Sequence, residues 1–375
     1  MKPFKVAHAT ADNWAQATQA CTDIVADLAD DATLGFVYVT DVFAEDLAAI
    51  LTYLRQKTGV GHWVGTVGIG ICAGGREYFD QPAVAIMLAS LDEDDFRLFP
   101  SIKQGASQLS QDTRQWIAST SPMIGLVHAD PAHEELSELI DDLATDTSTF
   151  LVGGLTSSRD AHHQIANRIT GGGVSGVFFS PRIEVATGLS QGCLPIAQSH
   201  EISDCVDNVV IGLDGRRALD VLKEDIGADM GADWTGDMSQ IGGVIHAALP
   251  IHGSDTGDYL VRNLIGIDPE RGWLAIAEQI EPGERIIFVR RDAESAAQDL
   301  TRMLGRLKAR LGRPPRGGVY VSCVARGPNM FGDAGGEMAM IQNALGDFPL
   351  IGFYAGGEIS FNRLYTYTGV LTLFL

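Results

Sequence analysis

Gly318-Val319-Tyr320-Val321-Ser322-Cys323 is an apolar strand opened by glycine, and the chain writes it twice before. Gly35-Phe36-Val37-Tyr38-Val39-Thr40-Asp41 and Gly125-Leu126-Val127-His128-Ala129-Asp130 follow the same plan, so the fold turns on reading the three together. After each comes a helical stretch and then an apolar residue followed by glycine: Val64-Gly65, Val152-Gly153 and Ile351-Gly352. A further apolar strand closes each copy, at residues 83–88, 174–179 and 369–374. The first two copies end the opening strand in Asp41 and Asp130, the third in Cys323. The third copy therefore departs from the plan at the carboxyl end of a strand, where α/β sheets carry their ligand sites.

Each copy also has a leading half. Phe4-Lys5-Val6-Ala7, Phe96-Arg97-Leu98-Phe99 and Ile286-Ile287-Phe288-Val289 read as short strands, each with a helix after it. The helix of the third runs between Asp292 as N-cap and Gly312 as stop. Leu47, Ile50, Leu51 and Leu54 form an i, i+3, i+4, i+7 stripe that Leu136, Leu139, Ile140 and Leu143 repeat, the latter behind Asp130-Pro131 as a capped start. The unit reads strand-helix-strand-helix-strand-strand, roughly 90 residues by its spacing. A strand-rich insert over residues 182–284 precedes the third copy, with one helix from Ala218 to Glu224 and a solvated loop from Gly227 to Gly242. The expected fold class is α/β, with mixed β-sheets covered by helices.

At 375 residues the chain exceeds one ordinary core, and two domains are expected. A net charge of −21 repels phosphate backbones and anionic lipid, which argues against nucleic-acid or membrane partners. No apolar run is long enough to span a bilayer, and no leader is visible. Five scattered cysteines without a CxxC pair suit reduced thiols in a cytoplasm.

Several strings resemble a known family. Leu151-Val152-Gly153-Gly154-Leu155, Gly188-Leu189-Ser190-Gln191-Gly192-Cys193-Leu194-Pro195-Ile196 and Leu213-Asp214-Gly215-Arg216-Arg217-Ala218-Leu219 resemble the N-type FIST (F-box and intracellular signal transduction) domain. Ser322-Cys323-Val324-Ala325-Arg326-Gly327 and Pro349-Leu350-Ile351-Gly352-Phe353-Tyr354-Ala355-Gly356-Gly357-Glu358-Ile359 are similar to its C-type partner. The resemblance implies an N-type domain over 1–222 and a C-type domain over 223–375. It further implies a non-catalytic, cytoplasmic sensory module that binds a small metabolite such as an amino acid. With no effector in the chain, output would pass to a partner such as a histidine kinase or a cyclic-dinucleotide enzyme. The reading calls for no cofactor or metal of its own. Haem enters only as the family's alternative, a nitric-oxide sensor acting on a histidine kinase.

The candidate ligand-binding residues follow from the third copy. Arg326 is expected to hold Cys323 toward thiolate, or else to be paired with a structural acid. Glu358, with Tyr354 and Asn362 beside it, could take a ligand's ammonium while Arg326 takes its carboxylate, and Gly357 permits close approach. The plain alternative is that Arg326 and Glu358 pair with each other. Glu337 is a reserve acid at a helix start, and Gln191 and Cys193 are polar lining from the insert. A pocket between the two domains is expected to gather these residues. A thiol enzyme using Cys323 is the remaining alternative, lacking an identified acid and base. Among the histidines, His128, His246 and His252 read as core residues or single axial ligands, and His162-His163 point apart. Ser157, Ser158 and Arg159 form a lesser polar group, and the basic run Arg302 to Arg316 reads as a solvated face or a docking face.

Overall fold

The computed structural model describes residues 4–231, 241–251, 258–332 and 335–375. The chain forms two compact units, residues 1–190 with 301–375, and residues 191–300. The expected α/β class with mixed sheets is what the chain adopts.

The first unit is built on three six-stranded sheets of one design. In the first sheet the order is Lys5–Thr10, Ala83–Ala89, Leu34–Thr40, His62–Gly68, Gln164–Ala166, Ile169–Thr170. Phe96–Ile102, Val174–Phe179, Ile124–Ala129, Phe150–Leu155, Glu358–Phe361 and Arg363–Tyr365 make the second. Val185–Ser190, Gly369–Phe374, Gly317–Cys323, Leu350–Ala355, Gly70–Ala73 and Arg76–Phe79 make the third. Each has one parallel pair at its centre, and everything outside that pair is antiparallel.

The parallel pairs explain the apolar-glycine steps. A Cβ on Gly65, Gly153 or Gly352 would lie 1.7, 1.8 or 1.7 Å from the carbonyl oxygen of Val37, Val127 or Tyr320 on the paired strand. Only glycine lets the two backbones approach that closely. The same register matches Val37, Val127 and Tyr320 to one another, so Cys323 corresponds to Asp130 and to Thr40. Asp41 lies one residue further, at the start of the 3-10 helix Asp41–Asp46.

Two features depart from the sequence reading. The last two antiparallel strands of each sheet are a hairpin borrowed from elsewhere in the chain. Gly70–Ala73 with Arg76–Phe79 leaves the first sheet for the third, Gln164–Ala166 with Ile169–Thr170 leaves the second for the first, and Glu358–Phe361 with Arg363–Tyr365 leaves the third for the second. The leading strand of the third sheet is Val185–Ser190, antiparallel to Gly369–Phe374, whereas Arg285–Arg290 belongs to the other unit. Hydrophobic alternation identifies a strand but not its partner, and both departures are choices of partner.

Strand alternation then divides the side chains. Phe36, Tyr38, Leu126, Val152, Val177, Val319, Val321, Ile351 and Phe353 face a shared centre. Val37, Val39 and Trp63 face the helices Trp14–Ala29 and Leu47–Thr58, which return Cys21, Val25, Ile50 and Leu54. Each such side chain fully buried contributes about 1.5–3 kcal/mol. The helix expected behind Asp130-Pro131 begins later, at Leu136, because the Asp130 carboxylate instead closes a turn by accepting from Ala132 N at 3.0 Å.

The second unit is a nine-stranded sheet of entirely antiparallel pairs around Arg285–Arg290 and His200–Val206. The helix Ala218–Met230 covers it with Leu219, Leu222 and Ile226. That helix runs past Glu224 and takes in Gly227, while 232–240 of the expected solvated loop lie outside the described residues. Asp292 caps as expected, its Oδ1 accepting from Ser295 N at 2.7 Å, and the helix Ala293–Arg310 stops before Gly312.

Candidate functional site

The strand Gly317–Cys323 sends Tyr320 and Ser322 to the helix side and Val321 and Cys323 to the centre. Beyond it the chain reverses, with Arg326 N donating to the Cys323 carbonyl at 2.8 Å. This turn folds the Arg326 side chain back into the protein, where it is 1% exposed.

Arg326 is fully engaged there. Nε donates to Glu337 Oε1 at 2.8 Å, and Nη2 approaches the same oxygen at 2.7 Å. Nη2 also donates to Ser190 Oγ at 3.2 Å and Nη1 to the Tyr367 carbonyl at 3.3 Å, and the guanidinium lies 5.2 Å over the Phe331 ring. Glu337, 0% exposed, takes two more donors, Tyr320 OH at 2.5 Å and Ser322 Oγ at 3.0 Å. Burying a charge pair costs several kcal/mol per ion unless the remaining hydrogen-bonding capacity is met, and here it is met. The buried partner of Arg326 is thus Glu337, not Glu358. Its guanidinium edge is not open to a ligand carboxylate in this conformation.

Glu358 is the odd member. Its Oε2 accepts from Thr368 N at 3.0 Å and Thr368 Oγ1 at 2.8 Å, but Oε1 has no hydrogen bond and the side chain is 0% exposed. Burial pushes its carboxyl up to about 8, against the Thr368 hydrogen bonds, the Arg326 charge and the Cys323 thiol, which stands within hydrogen-bonding approach of the carboxyl although the geometry closes no bond to Oε1. The carboxyl is therefore mainly protonated at neutral pH. Gln164 occupies the matching place in its own hairpin, one register step from Gly65 as Glu358 is from Gly153. It is buried and complete, Oε1 accepting from Ser175 Oγ at 2.6 Å and Nε2 donating to the Gly173 carbonyl at 3.1 Å. The scaffold at this place is satisfied by a neutral amide. Glu358 leaves one oxygen over.

Cys323 departs from expectation. Burial pushes its thiol up to about 12, with Glu358 adding to the rise and Arg326 only offsetting part of it. The cation does not produce a thiolate because burial outweighs its effect.

A third carboxylate joins from the borrowed hairpin. Glu77 Oε1 accepts from Met338 N at 3.2 Å and Oε2 has no hydrogen bond. Burial and then the Glu337 charge push Glu77 up to about 7. The Tyr354 hydroxyl stands beside it and opposes that rise, yet the geometry closes no hydrogen bond. The Tyr354 ring packs on Phe79 with centroids 4.3 Å apart. The cluster therefore holds three carboxyl groups, Glu77, Glu337 and Glu358, around one guanidinium.

The other sequence candidates have separate roles. Gly357 gives its carbonyl to Leu155 N at 2.8 Å, joining the hairpin to the second sheet. Asn362 Nδ2 donates to Asp141 Oδ1 at 2.6 Å and does not join the cluster. Gln191 and Cys193 belong to the second unit, where the Gln191 amide pairs with the Tyr259 backbone and the Cys193 carbonyl accepts from Tyr259 OH at 2.9 Å. Ser157 braces Tyr354 by donating to its carbonyl at 2.5 Å, and Arg159 spans Asp41 and Asp80. His128 is a core residue whose Nε2 meets Tyr38 OH at 3.1 Å, and burial lowers it to about 3. Burial also lowers His246, and His252 lies outside the described residues. In the basic run, Arg310 donates to the Thr187 carbonyl, Arg313 pairs with Glu184 and Arg316 donates to the Ser90 carbonyl, so this part of the face is used internally.

Glu77, Tyr320, Ser322 and Thr368 are the cluster members that the sequence reading missed, whereas Ser190 belongs to the polar string Ser190-Gln191-Gly192-Cys193 that it singled out. Glu77 lies on the opposite face of its strand from Arg76 and Tyr78 and pairs with Cys72 nearby, but the strand that this hairpin joins, Leu350–Ala355, is far along the chain and is not legible as its partner.

The chain matches the FIST N domain over residues 33–216 and the FIST C domain over residues 218–360. An uncharacterized protein of Mycobacterium tuberculosis is 34% identical over 348 residues, covering 90% of this chain and 88% of the relative. Another, from Mycobacterium bovis, is 32% identical over 349 residues with the same coverage. Among the described residues no helix is long and apolar enough to cross a membrane.

Proposed function

Because the chain belongs to the FIST family, whose domains are associated with sensing in signal transduction, we propose that it is a small-ligand sensory module whose site is the Glu358 edge of the Arg326 cluster. The observation that carries this reading is Glu358 Oε1, a fully buried carboxyl oxygen with no partner where the matching Gln164 is complete. A buried polar atom left unsatisfied costs about 1–3 kcal/mol, which a ligand group bonded to that oxygen would recover. The Cys323 thiol lies beside the carboxyl, Thr368 holds its other oxygen, and the Arg326 charge acts on it from the pair with Glu337.

The module is read as non-catalytic, since a thiol held at about 12 has almost no nucleophilic form at neutral pH. It is read as cytoplasmic, in keeping with its five free cysteines. Output would pass to a separate signalling protein such as a histidine kinase or a cyclic-dinucleotide enzyme. For that, the ligand must bind two conformations of the module unequally.

Native mass spectrometry of freshly purified protein, followed by thermal-shift screening over amino acids, amines and haem, tests the reading. A bound small mass or a stabilising metabolite, weakened by Glu358→Gln, is the expected result. A screen in which Glu358→Gln responds to every hit as the unmodified protein does would remove the site.

A further inference from the structure

The charges around Arg326 do not balance. One guanidinium shares this cluster with three carboxyl groups; its only carboxylate partner among the described residues is Glu337, and Glu77 joins through the Glu337 charge. Glu358 and Glu77 are left with one unpartnered oxygen each, and no second cation is bonded to either among the described residues. Carboxyl groups crowded in this way can remain buried only by keeping protons, or by gaining a cation.

From this imbalance we infer that the Glu358 site is completed by a monovalent cationic group, an organic ammonium or an alkali ion, which enters in exchange for the Glu358 proton. The inference rests on the Proposed function for where the ligand sits and adds its charge and its coupling to protons. In the exchange Glu358 gives its proton to solvent, and the resulting carboxylate faces the incoming cation at Oε1 while Oε2 keeps Thr368. The cluster's net charge is unchanged, so the buried environment does not oppose the step as it opposes simple ionisation.

The groups facing Glu358 set the sign. Cys323, on a strand of the third sheet, is neutral, Thr368 donates two hydrogen bonds, and Arg326 supplies the one positive charge. Glu337 neutralises that charge. Ionisation near about 8 means that a cationic ligand must displace a proton below that pH and need not above it. Affinity for a cation should therefore fall about tenfold per pH unit below about 8 and level off above it. An anionic ligand would show the opposite slope.

The test is calorimetry on the full chain, titrated with propylammonium chloride, potassium chloride, sodium propanoate and propanol in buffers of different ionisation enthalpy. Release of nearly one proton per bound propylammonium at about pH 7, almost none at about pH 9, and loss of both binding and slope in Glu358→Gln would support the exchange. Potassium reproducing these effects would also support it and assign it to a bare ion. Propylammonium bound without proton release, or equally well by Glu358→Gln, would overturn it. Propanoate bound more tightly toward acid and lost in Glu358→Gln would overturn the cation while leaving the site of the Proposed function standing. Infrared spectroscopy of the unmodified protein gives a check free of any variant: the carbonyl band of a protonated carboxyl should bleach when propylammonium is added at about pH 7, and a band that persists at saturation refutes the exchange.

Discussion

Replacing Arg326 by alanine should destabilise the first unit strongly rather than merely silence a binding site. The guanidinium makes four hydrogen-bonding contacts and is 1% exposed, and its partner Glu337 is 0% exposed. Removing it leaves Glu337 as a buried carboxylate with only Tyr320 OH and Ser322 Oγ as donors. Breaking a buried pair from one side costs about 3–5 kcal/mol, a large part of the 5–15 kcal/mol that holds a typical domain. Glu337→Gln should cost a similar amount, because it strands the cation instead. The double variant Arg326→Met with Glu337→Leu should cost less than the sum of the two single losses, since it leaves no unpaired charge. Urea unfolding followed by tryptophan fluorescence reads all three, with Trp63 and Trp116 buried in this unit. A loss below about 1 kcal/mol for Arg326→Ala would show that the guanidinium is exposed and exchangeable in solution, and the account of the cluster's wall would fail.

Other perturbations have equally definite outcomes. His200 stands between Asp214 Oδ2 at 2.7 Å and Asp225 Oδ2 at 2.9 Å; burial alone would lower its pKa, but the two hydrogen bonds carry it above the ordinary value. A histidine raised on folding stabilises fully below about 6.5 and loses that contribution as pH rises through its folded value, so the second unit should weaken over that window and His200→Gln should flatten the dependence in denaturation at several pH values. Gly352→Ala should abolish soluble expression or cost more than about 4 kcal/mol, because its Cβ would meet the Tyr320 carbonyl, whereas Gly305→Ala on the exposed helix face should stabilise by about 0.5–1 kcal/mol; equal melting temperatures would contradict the strand register. Iodoacetamide should label Cys323 far more slowly than free cysteine in the native protein and readily in urea, as mass spectrometry of the tryptic peptide would report.

What the sequence showed and what it hid divide along local and non-local lines. Helix stripes such as Leu136, Leu139, Ile140 and Leu143, and the glycines at 65, 153 and 352, are legible because periodicity and close approach leave marks within a few residues. The exchange of hairpins and the place of Val185–Ser190 are not, because an antiparallel strand accepts any partner of suitable pattern. The cluster shows the same division. Cys323, Arg326, Tyr354 and Glu358 were marked by where the third copy departs from the others, and Glu337 by its helix start. The sequence did not reveal which carboxyl would take Arg326. Spacing made Glu358 as good a partner as Glu337, and only the turn after Cys323 aims the guanidinium at the helix side of the sheet.

That turn bears on how the proposed site is held. Glu358 is hydrogen-bonded to Thr368 at the root of the third sheet, yet its strand is a rung of the second sheet, in register with Gly154. Glu77 reaches the same cluster on a hairpin that the first sheet's chain contributes to the third. The two carboxyl groups with one oxygen each outside any hydrogen bond thus sit on the exchanged hairpins that enter and leave the third sheet. Charging Glu358 while a cation enters would change the attraction between Glu358 and Arg326, and so the hold of the second sheet's edge on the third. Close-packed sheets do not absorb such a change locally, since their side chains have few voids into which to shift. Under the proposed function, a ligand bound at Glu358 on an exchanged hairpin would therefore couple its occupancy to the seating of one sheet on another.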